Sequence, residues 1–142
     1  MSEATEPTAR NVFAELEAFE AAAFRIGQLA RSLRAGNPDL PVEAMEPTLW
    51  SFASGDGPKL HITLELVCGS VDDACAWAKA LDVEAAVTTS TTSPYEQAAA
   101  QAVIGGVTVK VSGFRSLTGD EYTAWKADRA QTAVATSAGG GE

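Results

Sequence analysis

The chain has 142 residues and a formal net charge of −9, with 19 acidic against 10 basic side chains, and its length fits a single domain. The acidic balance argues against nucleic acid or an anionic membrane surface as a direct partner, because phosphate binding needs a basic face. Although 46% of the residues are hydrophobic, no apolar run approaches the roughly 20 residues that a membrane-spanning helix needs.

A long amphipathic helix is predicted for residues 9–35, after a disordered polar tail at residues 1–8. Its apolar side chains recur three or four residues apart, a heptad pattern typical of helix pairing. Gly36 is a good helix end, and the Asn-Pro pair that follows cannot continue the helix. This heptad seam is the candidate self-association surface and consists of Val12, Leu16, Phe19, Ala23, Ile26, Ala30 and Leu33.

Two packing partners are open to the heptad seam. The charges of the helix are polarised, with Glu15, Glu17 and Glu20 in the first half and Arg25, Arg31 and Arg34 in the second. This distribution suits either the helix dipole alone or antiparallel pairing with a second copy. The small residues Ala21, Ala22 and Ala23 lie at the midpoint, where two crossing helices would approach most closely. Packing on the sheet of the same chain is the alternative, and Phe13 and Phe24 favour it because they widen the apolar surface beyond a strict seam.

A Pro-rich connector at residues 36–47 leads into a predicted hairpin with strands at 48–53 and 59–67. The second strand alternates cleanly between apolar and polar side chains. A five-residue loop would pair Phe52 with Leu60 and Trp50 with Ile62, so that every large apolar side chain shares one face. A four-residue loop would instead place both aromatic rings on the face of His61. The first register is favoured because it buries more apolar surface.

The rest of the chain alternates helix and strand signals. Ser70 has the residue type of an N-cap and opens a second helix, and residues 83–91 form a weak strand. Gly105-Gly106 fits a two-residue hairpin turn, whose small Ala side chains opposite branched Val predict a helix packed closely on it. Thr118 begins a capping box and a final helix, followed by an Ala/Gly-rich tail at 132–142 for which disorder is expected.

These elements predict an α+β fold, in which a long N-terminal helix precedes a mainly antiparallel five-stranded sheet. The order is helix, two strands, helix, three strands, helix. Residues 48–131 form the α+β domain.

The sequence offers no catalytic residue, no cofactor motif and no metal site. Gly55-Asp56-Gly57 lacks the lysine and the helix of a phosphate-binding loop. A Cys–His pair is disfavoured because Cys68 lies an odd number of residues after His61, so the two side chains point to opposite faces of a regular strand. With no signal-peptide pattern at the N-terminus, both Cys68 and Cys75 are expected to be reduced thiols of a cytoplasmic protein.

One polar sheet face is the possible ligand or partner surface, provided that the second and fifth strands are neighbours. Its residues are His61, Thr63, Glu65, Gln101, Lys110 and Ser112. The first hypothesis for function is a non-enzymatic protein-interaction or regulatory module that self-associates, as a dimer, through its first helix and contacts another protein. A small-molecule-binding or enzymatic domain using the polar face is the second, and an acidic inhibitor that imitates nucleic acid is the third.

Overall fold

The computed structural model describes residues 12–54 and 57–140, so the predicted tail at 1–8 and the first residues of the predicted helix lie outside the described residues. The element order confirms the sequence prediction of an α+β fold. The elements are α1 Ala14–Gly36, β1 Ala44–Ser54, β2 Gly57–Cys68, α2 Val71–Ala80, β3 Ala86–Thr89, β4 Tyr95–Ile104, β5 Val107–Ser116 and α3 Gly119–Gly140.

The five strands form one sheet in the order β1-β2-β5-β4-β3. Three neighbouring pairs are antiparallel, as expected, but β2 and β5 run parallel, so the sheet is mixed. The parallel pair arises because α2 crosses over from β2 to the β3-β4-β5 meander, whose last strand returns beside β2. This return makes β2 and β5 neighbours, which the predicted polar face requires.

Local sequence signals explain where α2 and the β4–β5 hairpin begin and turn. The Ser70 hydroxyl accepts a hydrogen bond from the Asp73 backbone N–H at 3.0 Å, which is the predicted N-cap. Gly105 and Gly106 both have positive φ, +58° and +81°, as a type I′ turn requires. The predicted register of this hairpin is confirmed, with Ile104 opposite Val107 and the Ala–Val pairs following.

The core lies between the sheet and the two helices α1 and α2, which pack on the same face. Gly113 in β5 shows how close this approach is. A Cβ placed there would overlap the carbonyl oxygen of Ser70 and would lie 2.8 Å from the Cβ of Ala74. The helix predicted to pack on the Ala/Val hairpin is therefore α2. The fully buried large side chains are Trp77, Leu64, Leu66, Val107, Val109 and Val111.

Trp77 has no exposed surface, and its indole N–H donates a 2.9 Å hydrogen bond to the carbonyl of Pro41. This bond fastens the connector to the core. The connector is shorter than predicted, since β1 already begins at Ala44. At the other end of the chain, α3 continues to Gly140 and so extends into the segment for which the sequence predicts disorder.

The favoured register of the first hairpin is wrong. Trp50 lies opposite His61 and Phe52 opposite Lys59, while Ser54 pairs with Gly57. The strands thus extend to a connection of two residues rather than five. Trp50 and Phe52 are consequently on the face opposite to the one predicted, because a shift of one residue exchanges the two faces of a strand.

Candidate interaction surface

The heptad seam of α1 is divided between the protein's own core and its surface. Ile26 is 3% exposed, and Ala30 and Leu33 pack against the core cluster. At the other end of the seam, Val12, which precedes α1, is 79% exposed and Leu16 is 55% exposed. Ile26 and Leu33 therefore face the chain's own core, whereas Val12 and Leu16 face solvent. The remaining residues lie between these two surfaces and are Phe19, Ala23 and Ala30.

The midpoint of the seam faces the free edge of the sheet. Ala23 is exposed, unlike its neighbour Ala22, which is completely buried. Ala23 lines a groove of about 220 Å³ between α1 and β1, together with Gly27, Met45 and Leu49. Nearly all side chains of this groove are apolar, so it is suited to apolar side chains from outside.

A second, smaller depression lies nearer the start of α1. Phe19, which is half-buried, lines it together with Ser51 and Leu60, and Glu15 and Lys59 also border it. The groove and the depression both lie where α1 meets the sheet beside β1.

Strand β1 forms one edge of the sheet and has 11 residues. The opposite edge, β3, has four. Natural edge strands are usually short, charged or interrupted, because unpaired backbone N–H and C=O groups invite pairing with another chain. Strand β1 is long, and Pro47 within it withholds one backbone donor.

An aromatic cluster stands on the open face of the sheet at the β1 edge. The ring of Trp50 lies 5.1 Å from that of Phe52 and 4.9 Å from that of His61, centroid to centroid. Both Trp50 and Phe52 are more than 40% exposed. The aromatic–histidine surface that the sequence assigned to the less favoured register therefore exists. Its signal is the Gly55-Asp56 dipeptide, a type expected in two-residue hairpin turns.

The predicted polar residues all lie on this open face, though they fall into two groups. Glu65 stands opposite Lys110, and its carboxylate accepts a 3.0 Å hydrogen bond from the Ser112 hydroxyl. These three residues and Gln101 line a shallow depression of about 470 Å³. His61 is not part of it and contacts Trp50 instead. Thr63 is 6% exposed and separates the two groups.

The two cysteines are free and occupy different environments. Cys68 is 3% exposed on the helix-covered face, away from His61, and burial raises the pKa of its thiol to about 11. Such a thiol is protonated at neutral pH and is a poor nucleophile. Within residues 12–54 and 57–140, no three His, Cys, Asp or Glu side chains are grouped so as to hold a metal ion.

A further cleft of about 320 Å³ lies where α3 meets the Ser/Thr-rich segment before β4. The Trp125 indole N–H donates a 2.7 Å hydrogen bond to the carbonyl of Ser90. The guanidinium of Arg129 lies over the Trp125 ring at 5.2 Å. Arg115 also fastens the start of α3 by donating to both carboxylate oxygens of Glu121, at 2.7 and 2.8 Å, and this pairing lowers the pKa of Glu121. These contacts serve to dock α3.

Among the helices of the described residues, none is long and apolar enough to cross a membrane. Comparison with protein-family models, with curated proteins and with solved structures finds no match for this chain.

Proposed function

We propose that this chain is a non-enzymatic protein-interaction module that self-associates as a dimer through the exposed flank of α1. The observation that carries the proposal is the exposure of Leu16 and Ala23 one heptad apart on α1, where Ala23 also lines an apolar groove. Contiguous exposed apolar surface of this kind is typical of interaction sites in soluble proteins.

Side-chain sizes along this flank fit an antiparallel partner. If two copies of α1 cross with Ala23 opposite Ala23, Leu16 of one lies opposite Ala30 of the other, and Phe19 lies opposite Gly27. Large residues then meet small ones, which is the condition for interdigitated helix packing. A parallel arrangement would oppose each residue to itself and would place Phe19 against Phe19.

The charges of α1 also favour the antiparallel arrangement. The first half of α1 carries Glu17 and Glu20, and the second half carries Arg31 and Arg34. An antiparallel pair brings each acidic half beside a basic half, whereas a parallel pair would align like charges. The guanidinium of Arg31 lies over Gly27, so this flexible side chain must turn aside to admit Phe19 of the second copy.

The open face of the sheet remains available in this arrangement, and we assign it to a second protein partner. Exposed aromatic rings, as at Trp50 and Phe52, are enriched among the anchor residues of protein interfaces. A reducing compartment such as the cytoplasm suits a chain whose cysteines are both free.

A matched pair of substitutions tests self-association. Ala21 and Ala23 are both exposed and both lie inside α1, but they occupy different flanks of the helix. Sedimentation velocity at tens of micromolar should give twice the 14.7 kDa chain mass for the natural protein and for Ala21→Glu. Ala23→Glu introduces the same charge and the same helix propensity as Ala21→Glu. It should nevertheless sediment as a monomer, because its carboxylate would meet the carboxylate of the second copy where the two helices approach most closely.

A natural protein that remains monomeric at this concentration would refute the proposal. A dimer that tolerates Ala23→Glu but is lost in Phe24→Glu would place the interface on the outer face of α1, where Phe24 is 65% exposed.

A further inference from the structure

We infer that two copies of the chain also join their β1 edges, so that the dimer contains one continuous ten-stranded sheet. This inference rests on the proposed function, since it uses the same two-fold axis as the α1 pairing. It adds a second contact, made by the backbone of the edge strand.

The first support is the alignment of α1 along β1. Phe19 and Ser51 line the depression near the start of the helix, whereas Ala30 and Met45 line the groove toward its end. Helix α1 therefore runs antiparallel to β1, directly along the edge of the sheet.

The second support is that the proposed centre of the α1 pairing lies beside the midpoint of β1. Ala23, where the side chains of two helices fit best, lines the same groove as Leu49. Leu49 is also the middle residue of β1, which runs from Ala44 to Ser54. A two-fold axis through Ala23 of α1 would therefore pass close to the midpoint of the edge strand. Antiparallel pairing about that midpoint would span β1 from end to end, with Pro47 supplying no backbone donor.

The third support is the lateral distance. Helix α1 packs on both β1 and β2. If the axis of the helix lies above the middle of these two strands, it is displaced by about 2.4 Å from β1 toward β2, which is half the spacing between strands. Two β1 edges paired at about 4.8 Å would then separate the helix axes by about 10 Å, close to the usual 8–10 Å for packed helices. Edge pairing and helix packing are thus compatible in a single dimer.

Pairing about Leu49 would also give the exposed aromatic side chains of the open face neighbours from the second copy. Trp50 would lie opposite Thr48 of the second copy, and Phe52 would lie opposite Glu46 of that copy. The two Trp50 rings would then be diagonal neighbours, which are within reach of each other for aromatic side chains. The two aromatic clusters would merge into one at the centre of the extended sheet.

Disulfide trapping tests the pairing, in a Cys75→Ser background that leaves only the buried Cys68. Leu49→Cys should give a disulfide-linked dimer under mild oxidation, because residues directly opposite in antiparallel strands have Cα atoms about 4.5–5.5 Å apart. Ser51→Cys and Met45→Cys are the controls on the same face. Two Ser51 residues would be separated by about 13 Å along the strands, too far for a disulfide.

Amide hydrogen exchange on the natural chain supplies a test without substitution. Backbone amides of β1 should exchange more slowly at a protein concentration where the dimer forms than at one where it has dissociated. Amides of the other edge strand, β3, should be unaffected by concentration.

The outcomes separate the edge contact from the helix contact. A sedimenting dimer in which Leu49→Cys does not cross-link and β1 exchange is independent of concentration would overturn the edge pairing and leave α1 self-association standing. Equal cross-linking at all three positions, or preferential cross-linking at Ser51 or Met45, would overturn the common axis. A monomeric natural protein would overturn both proposals.

Discussion

The division of the heptad seam predicts that truncating Ile26 weakens the fold of the single chain, whereas truncating Leu16 weakens the dimer. Ile26 is 3% exposed and belongs to the core, so Ile26→Ala leaves a cavity within the chain. Such substitutions cost about 2–5 kcal/mol of unfolding free energy. A loss of about 3 kcal/mol corresponds to a fall in Tm of about 6–12 °C for a chain near this size.

Leu16→Ala should leave the folding of the single chain almost unchanged. Leu16 is 55% exposed, and exposed substitutions alter unfolding free energy by less than about 0.5 kcal/mol. If Leu16 packs on Ala30 of a second copy, its truncation removes an interface contact instead. A loss of about 1 kcal/mol there raises the dimer dissociation constant roughly fivefold.

Thermal unfolding at two protein concentrations separates these effects, because dimer formation stabilises the folded state by mass action. Ile26→Ala should lower Tm equally in dilute and in concentrated samples. Leu16→Ala should lower it only at the concentration where the natural protein is dimeric. Equal, concentration-dependent losses for both variants would show that Ile26 lies at the interface, and this result would refute the division of the seam.

Two further predictions concern the body of the domain. Gly113→Ala should lower the unfolding free energy measured in urea by about 1–3 kcal/mol, because its Cβ would overlap the Ser70 carbonyl. Gly36→Ala should not lower it, because the added Cβ meets open space. Cys68 should resist thiol reagents at pH 8 until the chain unfolds, while Cys75 reacts in the native state. Because the pKa of Cys68 rises from 9.0 to about 11 on folding, the unfolded chain loses this proton first and stability should fall as pH rises between these values. Cys68→Ala should remove that part of the pH dependence, and an unchanged alkaline slope would contradict the assignment.

Most of the fold follows from short-range patterns in the sequence. Ser70 marks the start of α2 because its side-chain oxygen caps the helix. Gly105-Gly106 sets the register of the β4–β5 hairpin because both glycines adopt positive φ. The parallel pairing of β2 with β5 could not be read in this way. It depends on where the chain returns after α2, which no local pattern specifies.

The first hairpin shows how a local preference can be misjudged. The predicted register maximised burial by placing Trp50 and Phe52 on the core face. In the structure the smaller Leu49 and Ser51 lie beside α1, and the two aromatic rings stand on the open face instead. The dipeptide Gly55-Asp56, a type expected in two-residue hairpin turns, carried the better information, since loop length fixes hairpin register directly.

The sequence could not determine which surface the heptad seam contacts, and helix geometry explains why. A strict seven-residue repeat drifts by about 20° per heptad around a straight α-helix, so positions one heptad apart turn gradually toward a new neighbour. Within α1, Leu16 is 55% exposed, Ala23 one heptad later is exposed, and Ala30 after a further heptad is half-buried. In a supercoiled pair this drift would be cancelled and the whole seam would face one partner. Because α1 is held against a sheet, the same pattern instead serves two contacts, one with the chain's own core and one, we propose, with a second copy.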